Sequence, residues 1–363
     1  MGLPKEKTQI SPMQLTFLII TLLISTADIF LPSFVAGEAE QDSWLSPILS
    51  TAITLPIVWM HLNIYRRFQE MTLIEICKKA AGKIFGVVFG LSFVFYIMLI
   101  VWSVTTEVAL VMNTAFMPLT PPWMFIAPAI LISAYAVGKD IEDIARLNEI
   151  LLPVGIGLIV VLTLTNIGEI DLNFFRPVLK DGMVPPLLGG LVIMGWMGEI
   201  IVILQIIPSV NKPLKINRAV YSGVLVTGMG ILVGSFIYAL FGPLTAAFQM
   251  PALEFARFAS VGRYVRNLDL FVMAIWITGI YVKIMVFYYA STFALAQLFR
   301  VKDYKTLILP VGLFLGIMSG ATQGRAIENA QFLHYIFPLY SLTMSLVVPG
   351  IIMLLSLVKK ERK

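Results

Sequence analysis

From Leu15 to the C-terminus the chain alternates apolar runs with short polar or Pro/Gly-rich breaks. A run of about 20 residues, rising about 1.5 Å per residue, crosses a hydrocarbon layer of about 30 Å. The pattern predicts ten spans, near residues 14–37, 44–64, 85–113, 121–138, 146–166, 184–208, 217–241, 268–298, 305–322 and 333–357. No polar interval is long enough to bury a separate soluble core. Residues 1–363 therefore read as one all-α polytopic transmembrane domain, with a short basic tail at 358–363.

Two spans are interrupted from within. In the first, FLIITLLISTADIFLPSFVAGEA, the polar residues Ser25, Thr26 and Asp28 fall at mid-depth, and Pro32 removes a backbone donor one turn later. In the sixth, GGLVIMGWMGEIIVILQ, Gly189, Gly190, Gly195 and Gly198 surround Trp196 beside a bare carboxylate, Glu199. Glycine lets a chain leave helical geometry and lets a ligand approach the backbone. The breaks lie five spans apart, an odd offset, so the two halves cross the membrane in opposite directions. This is the arrangement of a 5+5 inverted repeat, about 11–166 and 184–357, with helices 1 and 6 broken at mid-membrane and a binding site between them. Half-helix N-termini there favour an anionic group, and carbonyls or acidic side chains favour an amine, so an amino acid suits such a site.

Four ionisable residues lie within the spans: Asp28, Glu107, Glu199 and Lys283. A charge at the bilayer centre costs at least about 2.5–3.5 kcal/mol, so each is expected to face a partner, the bundle interior or a water-filled cavity. By depth, Glu199 and Lys283 fall near the midplane and form the natural ion pair, whereas Asp28 and Glu107 lie in the outer half. The pair either only fastens two helices, or Lys283 occupies the place of a bound cation, or Glu199 and Lys283 together gate a polar path. Further wall candidates are Trp102 and Thr106 on the third span, Trp196 on the sixth, and Tyr288 and Thr292 on the eighth.

Composition agrees with the pattern: 58% of residues are hydrophobic and 13% charged, and the mean hydropathy is +0.89. A pI near 9.2 raises the question of nucleic acid. The basic residues instead sit in short clusters between spans. Of the 26 Lys and Arg residues, 19 fall on the side of the N-terminus, six on the other side, and Lys283 inside a span, which places both termini in the cytoplasm. MGLPKEKTQ lacks a cleavage site of small residues, so the first span is expected to be retained. One cysteine, Cys77, and two histidines, His61 and His334, leave no basis for a disulfide framework, a metal or another cofactor. AAGKIFG, ending at Gly86, lacks the first glycine and the Ser/Thr of a phosphate loop. Between spans, Glu70–Ala81 and Gly138–Glu149 have helical spacing at the cytoplasmic surface. On the outer side, 251–268 places Leu253, Phe258, Val261 and Val265 on one stripe, with Arg257, Arg263 and Arg266 mostly off it.

At this point a family resemblance becomes specific. ISPMQLTFLII, AGEAEQDSWLSPILS, YRRFQEMTLIEICKKAAGKIFG, AYAVGKDIEDIARLNEILLP and IDLNFFRPVL resemble, nearly end to end, the B subunits of spore germination nutrient receptors. That family is a branch of the amino acid/polyamine/organocation transporter superfamily, and the resemblance implies its LeuT-like fold. It also implies a protein of the inner membrane of the bacterial spore that senses a small nutrient, usually an amino acid, sugar or nucleoside, and partners a membrane A subunit and a lipoprotein C subunit. Transferred to this chain, the germinant site comprises Ser25, Thr26, Trp102, Gly195, Trp196, Tyr288 and Thr292, with Glu107 on a polar or water path. The first break here reads Ser-Thr-Ala-Asp, where transporters of the superfamily commonly have glycines.

Three functions remain open from sequence: a ligand sensor, a secondary active transporter of an amino acid or amine, and a water- or ion-conducting subunit. No nucleophile, base and metal constellation suggests an enzyme.

Overall fold

The computed structural model describes residues 9–259 and 269–360. The expectations placed on Lys5, Lys7, Val261, Arg263, Val265, Arg266 and residues 361–363 lie outside the described residues. Ser11 opens the first helix: its Oγ accepts from the Gln14 N–H at 3.1 Å, and Gln14 Oε1 accepts from the Ser11 N–H at 2.8 Å. This reciprocal cap satisfies two donors that an unfinished helix leaves free. Helix α1 (Pro12–Ile24) ends at Ser25. Helix α2 (Ala27–Ala39) follows with Pro32 inside it. The segments Pro12–Ile24 and Ile29–Asp42 are bent by 60°.

Helices α3 (Leu45–Arg67) and α4 (Leu73–Val111) come next. The expected surface segment Glu70–Ala81 forms the start of α4. Its apolar residues Ile74, Ile76, Cys77 and Ala80 are buried under the bundle, and the chain turns into the span at Gly82, where φ is +83°. A Cβ at Gly82 would meet nothing within 4 Å, so only backbone geometry demands glycine there. Gly82→Ala is accordingly expected to cost about 1–3 kcal/mol, read as a lower midpoint of thermal unfolding in detergent, with no effect from crowding.

Helix α5 (Trp123–Val137) occupies the expected fourth span but holds only 15 residues. Pro121 and Pro122 stop it on one side, and the positive φ of Asp140 (+78°) turns the chain on the other. Helix α6 (Asp140–Asn166) absorbs the expected Gly138–Glu149 segment into one continuous rod. Helix α7 (Val184–Met197) is followed by a tighter 3₁₀ stretch, Gly198–Val202, and then by α8 (Ile203–Ile206). The remaining helices are α9 (Ile216–Gly234), α10 (Phe236–Phe241), α11 (Pro251–Phe258), α12 (Asp269–Phe299), α13 (Ile308–Ala321), α14 (Ala326–Gln331), α15 (Phe337–Leu342) and α16 (Val348–Lys360). Two π-helical stretches, Phe332–Ile336 and Thr343–Val347, join the last three.

Eight of these helical stretches are long and apolar enough to cross a membrane, or nine if the bent pair is one span; the fold is that of a multi-pass helical membrane protein. There is no strand among the described residues. The core forms where α12 packs on α4 and α6, α1 on α9, and α2 and α3 on α7. Of the expected 251–268 stripe only Pro251–Phe258 is described as helix. Leu253, Phe255 and Ala256 are buried against α2 and α12, while Phe258 is 50% exposed, so the buried stripe differs from the one the spacing suggests.

The end of the bundle bearing Ile10 is sealed. The Ile10 N–H donates to Ser209 O at 2.9 Å and the Asn211 N–H to Ile10 O at 3.0 Å, pairing the approach to α1 with the chain beyond α8. Gln14 Nε2 donates to Glu149 Oε2 at 2.9 Å, and Thr21 Oγ1 to Asn148 Oδ1 at 2.8 Å. Thr72 Oγ1 and Gln205 Nε2 both donate to Gln297 Oε1 at 2.9 Å, tying α4, α8 and α12. The opposite end holds a cavity.

Candidate functional site

The centre of the bundle is a polar knot built on Thr26, the residue between α1 and α2. Lys283 Nζ, from the middle of α12, donates to Thr26 Oγ1 at 2.7 Å and lies 2.7 Å from Glu199 Oε2. Trp196 Nε1 donates to the same hydroxyl at 3.0 Å. The Lys283 side chain is 0% exposed and that of Glu199 2%. A buried charge persists only when paired, and here one ammonium donates to a hydroxyl of the first interrupted segment and forms an ion pair with a carboxylate of the second. Lys283 Nζ also lies 5.9 Å from the Phe287 ring centroid, within the reach of a cation–π contact.

A second chain of hydrogen bonds holds α7 to α15. Tyr96 OH lies 2.7 Å from Ser341 Oγ, which donates to Gly195 O at 2.7 Å. Gly195 and Gly198, on either side of Trp196, are sites of close packing: a Cβ on Gly195 would come 3.1 Å from Phe337 Cδ1, and one on Gly198 would overlap Ser341 Oγ. Phe337 also meets Trp196 edge-on at 6.0 Å, and Phe34 of α2 lies 6.5 Å from Trp196. The rings of Phe34, Trp196 and Phe337 thus form an aromatic septum beside the knot.

Beyond the septum lies a cavity of about 350 Å³, lined by Phe30, Ser33, Phe34 and Gly37 of α2, Trp102, Ser103, Thr106, Glu107 and Leu110 of α4, the loop 246–249, and residues 329–334. Trp102 is held in place by its Nε1–H, which donates to Thr322 Oγ1 at 2.9 Å, and Thr106 Oγ1 donates back to Trp102 O at 2.9 Å. Glu107 is 6% exposed, and its Oε1 is buried without a hydrogen-bond partner. At the rim His334 Nε2 sits 3.0 Å from Glu38 Oε1, and its ring stacks on Phe34 at 4.8 Å.

All but two of the expected site residues fall into four groups; Ser25 and Asp28 stand apart. Thr26, Trp196, Glu199 and Lys283 meet in the knot. Trp102, Thr106 and Glu107 line the outer cavity. Gly195 and Gly198 pack against α15. Tyr288 and Thr292 turn elsewhere: the Tyr288 hydroxyl donates to Ile308 O, and Thr292 Oγ1 to Tyr288 O at 2.8 Å within its own helix. Ser25 borders a separate, largely apolar cavity of about 220 Å³ between α1, α6, α9 and α12, where its hydroxyl has no hydrogen-bond partner. The side chain of Asp28 lies outside the described part of the structure. Tyr96, Ser341, Phe34 and Glu38 take part without having drawn notice in the sequence, and His334, weighed there only as a metal ligand, takes part as the partner of Glu38. A lone tyrosine or serine in an apolar run carries no signal, although Glu38 and His334 are among the few titratable residues near span ends.

A bundle of membrane-length helices around a buried ion pair, tied by hydrogen bonds at one end and holding a cavity towards the other, has the form of the transporter-fold membrane proteins. Solved structures agree on the fold. The crystal structure of MhsT in complex with L-phenylalanine is similar with a TM-score of 0.71 at 14% identity, covering 97% of this chain and 99% of that one. Mhp1, a nucleobase-cation-symport-1 family transporter, is similar with a TM-score of 0.70 at 14% identity, covering 97% and 79%. A family model described as spore germination protein matches residues 9–324, and the chain belongs to that family. Among its relatives, spore germination protein KB of Bacillus subtilis (strain 168) is 26% identical, with 99% of this chain and 97% of that protein covered. The putative spore germination protein YfkT of the same organism is 28% identical, with 89% of each covered.

Proposed function

We propose that this chain is the germinant-sensing membrane subunit of a spore nutrient receptor, a binding protein rather than an enzyme. It binds a small nutrient, an amino acid in the first instance, beside the interrupted first and sixth spans and signals to a membrane A subunit and a lipoprotein C subunit in the inner membrane of the spore. The bundle has ten spans in a 5+5 inverted repeat, with both termini cytoplasmic. The 60° bend between Pro12–Ile24 and Ile29–Asp42 and the 3₁₀ stretch Gly198–Val202 support paired breaks in spans one and six.

The observation that carries this proposal is Lys283. A transporter driven by a cation must release that cation, whereas the ammonium between Thr26 and Glu199 is covalently tethered to α12. A tethered cation stabilises one arrangement of the two breaks, and a ligand that binds another arrangement better shifts the balance by its difference in affinity. The fold shared with MhsT and Mhp1 supports the second reading, a secondary transporter of an amino acid or amine. Thr26→Val distinguishes a direct role of the knot from mere scaffolding. It removes the acceptor shared by Trp196 and Lys283, and spores carrying it at wild-type protein abundance are expected to need about tenfold more nutrient for half-maximal germination, matching the loss of about 1.4 kcal/mol of coupling. An unchanged dose response contradicts the assignment.

A further inference from the structure

The outer cavity adjoins the polar knot across the rings of Phe34, Trp196 and Phe337, and its Glu107 feels the charges of Lys283 and Glu199. Its volume of about 350 Å³ lies in the range of about 300–1,000 Å³ found for ligand pockets. Five phenylalanine and tryptophan rings line it: Phe30, Phe34, Trp102, Phe248 and Phe332. Into this apolar wall the fold sets one acid, Glu107, whose Oε1 is buried with no hydrogen-bond partner. The other acid nearby, Glu38, already faces His334 at 3.0 Å. An unpartnered buried carboxyl oxygen is costly, and an arriving ligand that donates to it gains what the folded chain lacks.

We infer that this cavity is a binding site for small molecules that combine a primary ammonium with an apolar or aromatic body. The ammonium donates to the Glu107 carboxylate, and the faces of Trp102 and the phenylalanines take the remaining charge and the apolar part, as aromatic faces do for organic cations. A neutral hydroxyl can donate to Glu107 but leaves its charge uncompensated, and a carboxylate offers no donor and repels it, so selection works by charge as well as by hydrogen bonding. The site does not depend on the signalling role proposed above: it concerns what the full chain binds, whether or not germination follows.

The test is calorimetric titration of the purified full-length chain in detergent with phenethylamine, 2-phenylethanol and phenylacetate, which share a phenyl body and differ in the polar group. Phenethylamine is expected to bind saturably and at least about tenfold more tightly than the other two. Glu107→Gln is expected to erase that preference. Gly37→Leu provides an independent variant: Gly37 lines the cavity and a Cβ there would meet nothing within 4 Å, so a leucine fills the space without disturbing the helix. It is expected to weaken phenethylamine at least about tenfold while leaving the unfolding midpoint unchanged. No saturable amine binding to the wild-type chain, equal affinity for amine and alcohol, a preference that survives Glu107→Gln, or undiminished amine binding in Gly37→Leu each overturns the inference. If Glu107→Gln does not fold, the Gly37→Leu titration decides alone. Loss of nutrient-triggered germination in Glu107→Gln spores while the purified variant keeps its amine preference assigns Glu107 to a polar path instead.

Discussion

Lys283→Met is expected to destabilise the protein by about 3–5 kcal/mol, the cost of leaving a buried charge without its partner. Glu199 would remain 2% exposed with no cation in reach of its Oε2, and Thr26 Oγ1 would keep only the bond from Trp196 Nε1. The double variant Glu199→Gln/Lys283→Met removes both charges, and most of the lost stability is expected to return, since a buried pair exchanged for neutral groups of similar volume is often close to neutral in free energy. Thermal unfolding in detergent measures both. The charge swap Glu199→Lys/Lys283→Glu separates fastening from function. It keeps one charge of each sign, so assembly is expected to recover. It moves the ammonium off α12 and away from its bond to Thr26, so the nutrient response is expected to stay lost. A swapped protein that responds like the wild type reduces the pair to a fastener between the sixth and eighth spans.

The second large effect concerns the contact between α7 and α15. Gly198→Ala places a Cβ that overlaps Ser341 Oγ and lies 3.0 Å from Ser345 Oγ and 3.1 Å from Ser341 O. Overpacking of this kind costs about 1–3 kcal/mol. It also pushes on Ser341, which carries the hydrogen bonds joining Tyr96 to Gly195. Because the nearest obstacle is a side-chain hydroxyl, Gly198→Ala/Ser341→Ala is expected to regain part of the loss in unfolding midpoint. The Ser341 carbonyl remains in place, so recovery stays partial. Complete recovery, or none, would show that the strain arises elsewhere.

Much of the fold was legible because lipid imposes a simple rule: apolar runs of spanning length, punctuated by Pro, Gly and charge, must be helices. The pattern fails at α5, where paired prolines and the turn at Asp140 shorten the helix to 15 residues. The mixed-charge segments Glu70–Ala81 and Gly138–Glu149 are largely helical, as their spacing suggests. Both run into the neighbouring spans because no chain break intervenes, the first through the positive φ of Gly82. The meeting of Glu199 and Lys283 was legible from depth alone, since two opposite charges near one level of a membrane have few other partners. The role of Thr26 was visible only as a polar interruption; which donors converge on its hydroxyl depends on how α7 and α12 rotate about their axes, and periodicity does not set that. The same ambiguity separates Trp102, which lines the outer cavity, from Tyr288, whose hydroxyl is taken by the Ile308 carbonyl. Glycine likewise marks close approach without naming what approaches. At Gly195 and Gly198 the answer is α15.

Uptake and binding of one labelled nutrient by the same reconstituted protein test the central claim most directly. The full chain in liposomes, with imposed sodium or proton gradients in separate arms, is expected to bind a germinant amino acid saturably and to accumulate none, because the only cation at its centre is tethered among the described residues. Saturable, gradient-driven accumulation would contradict a sensing subunit and establish a transporter.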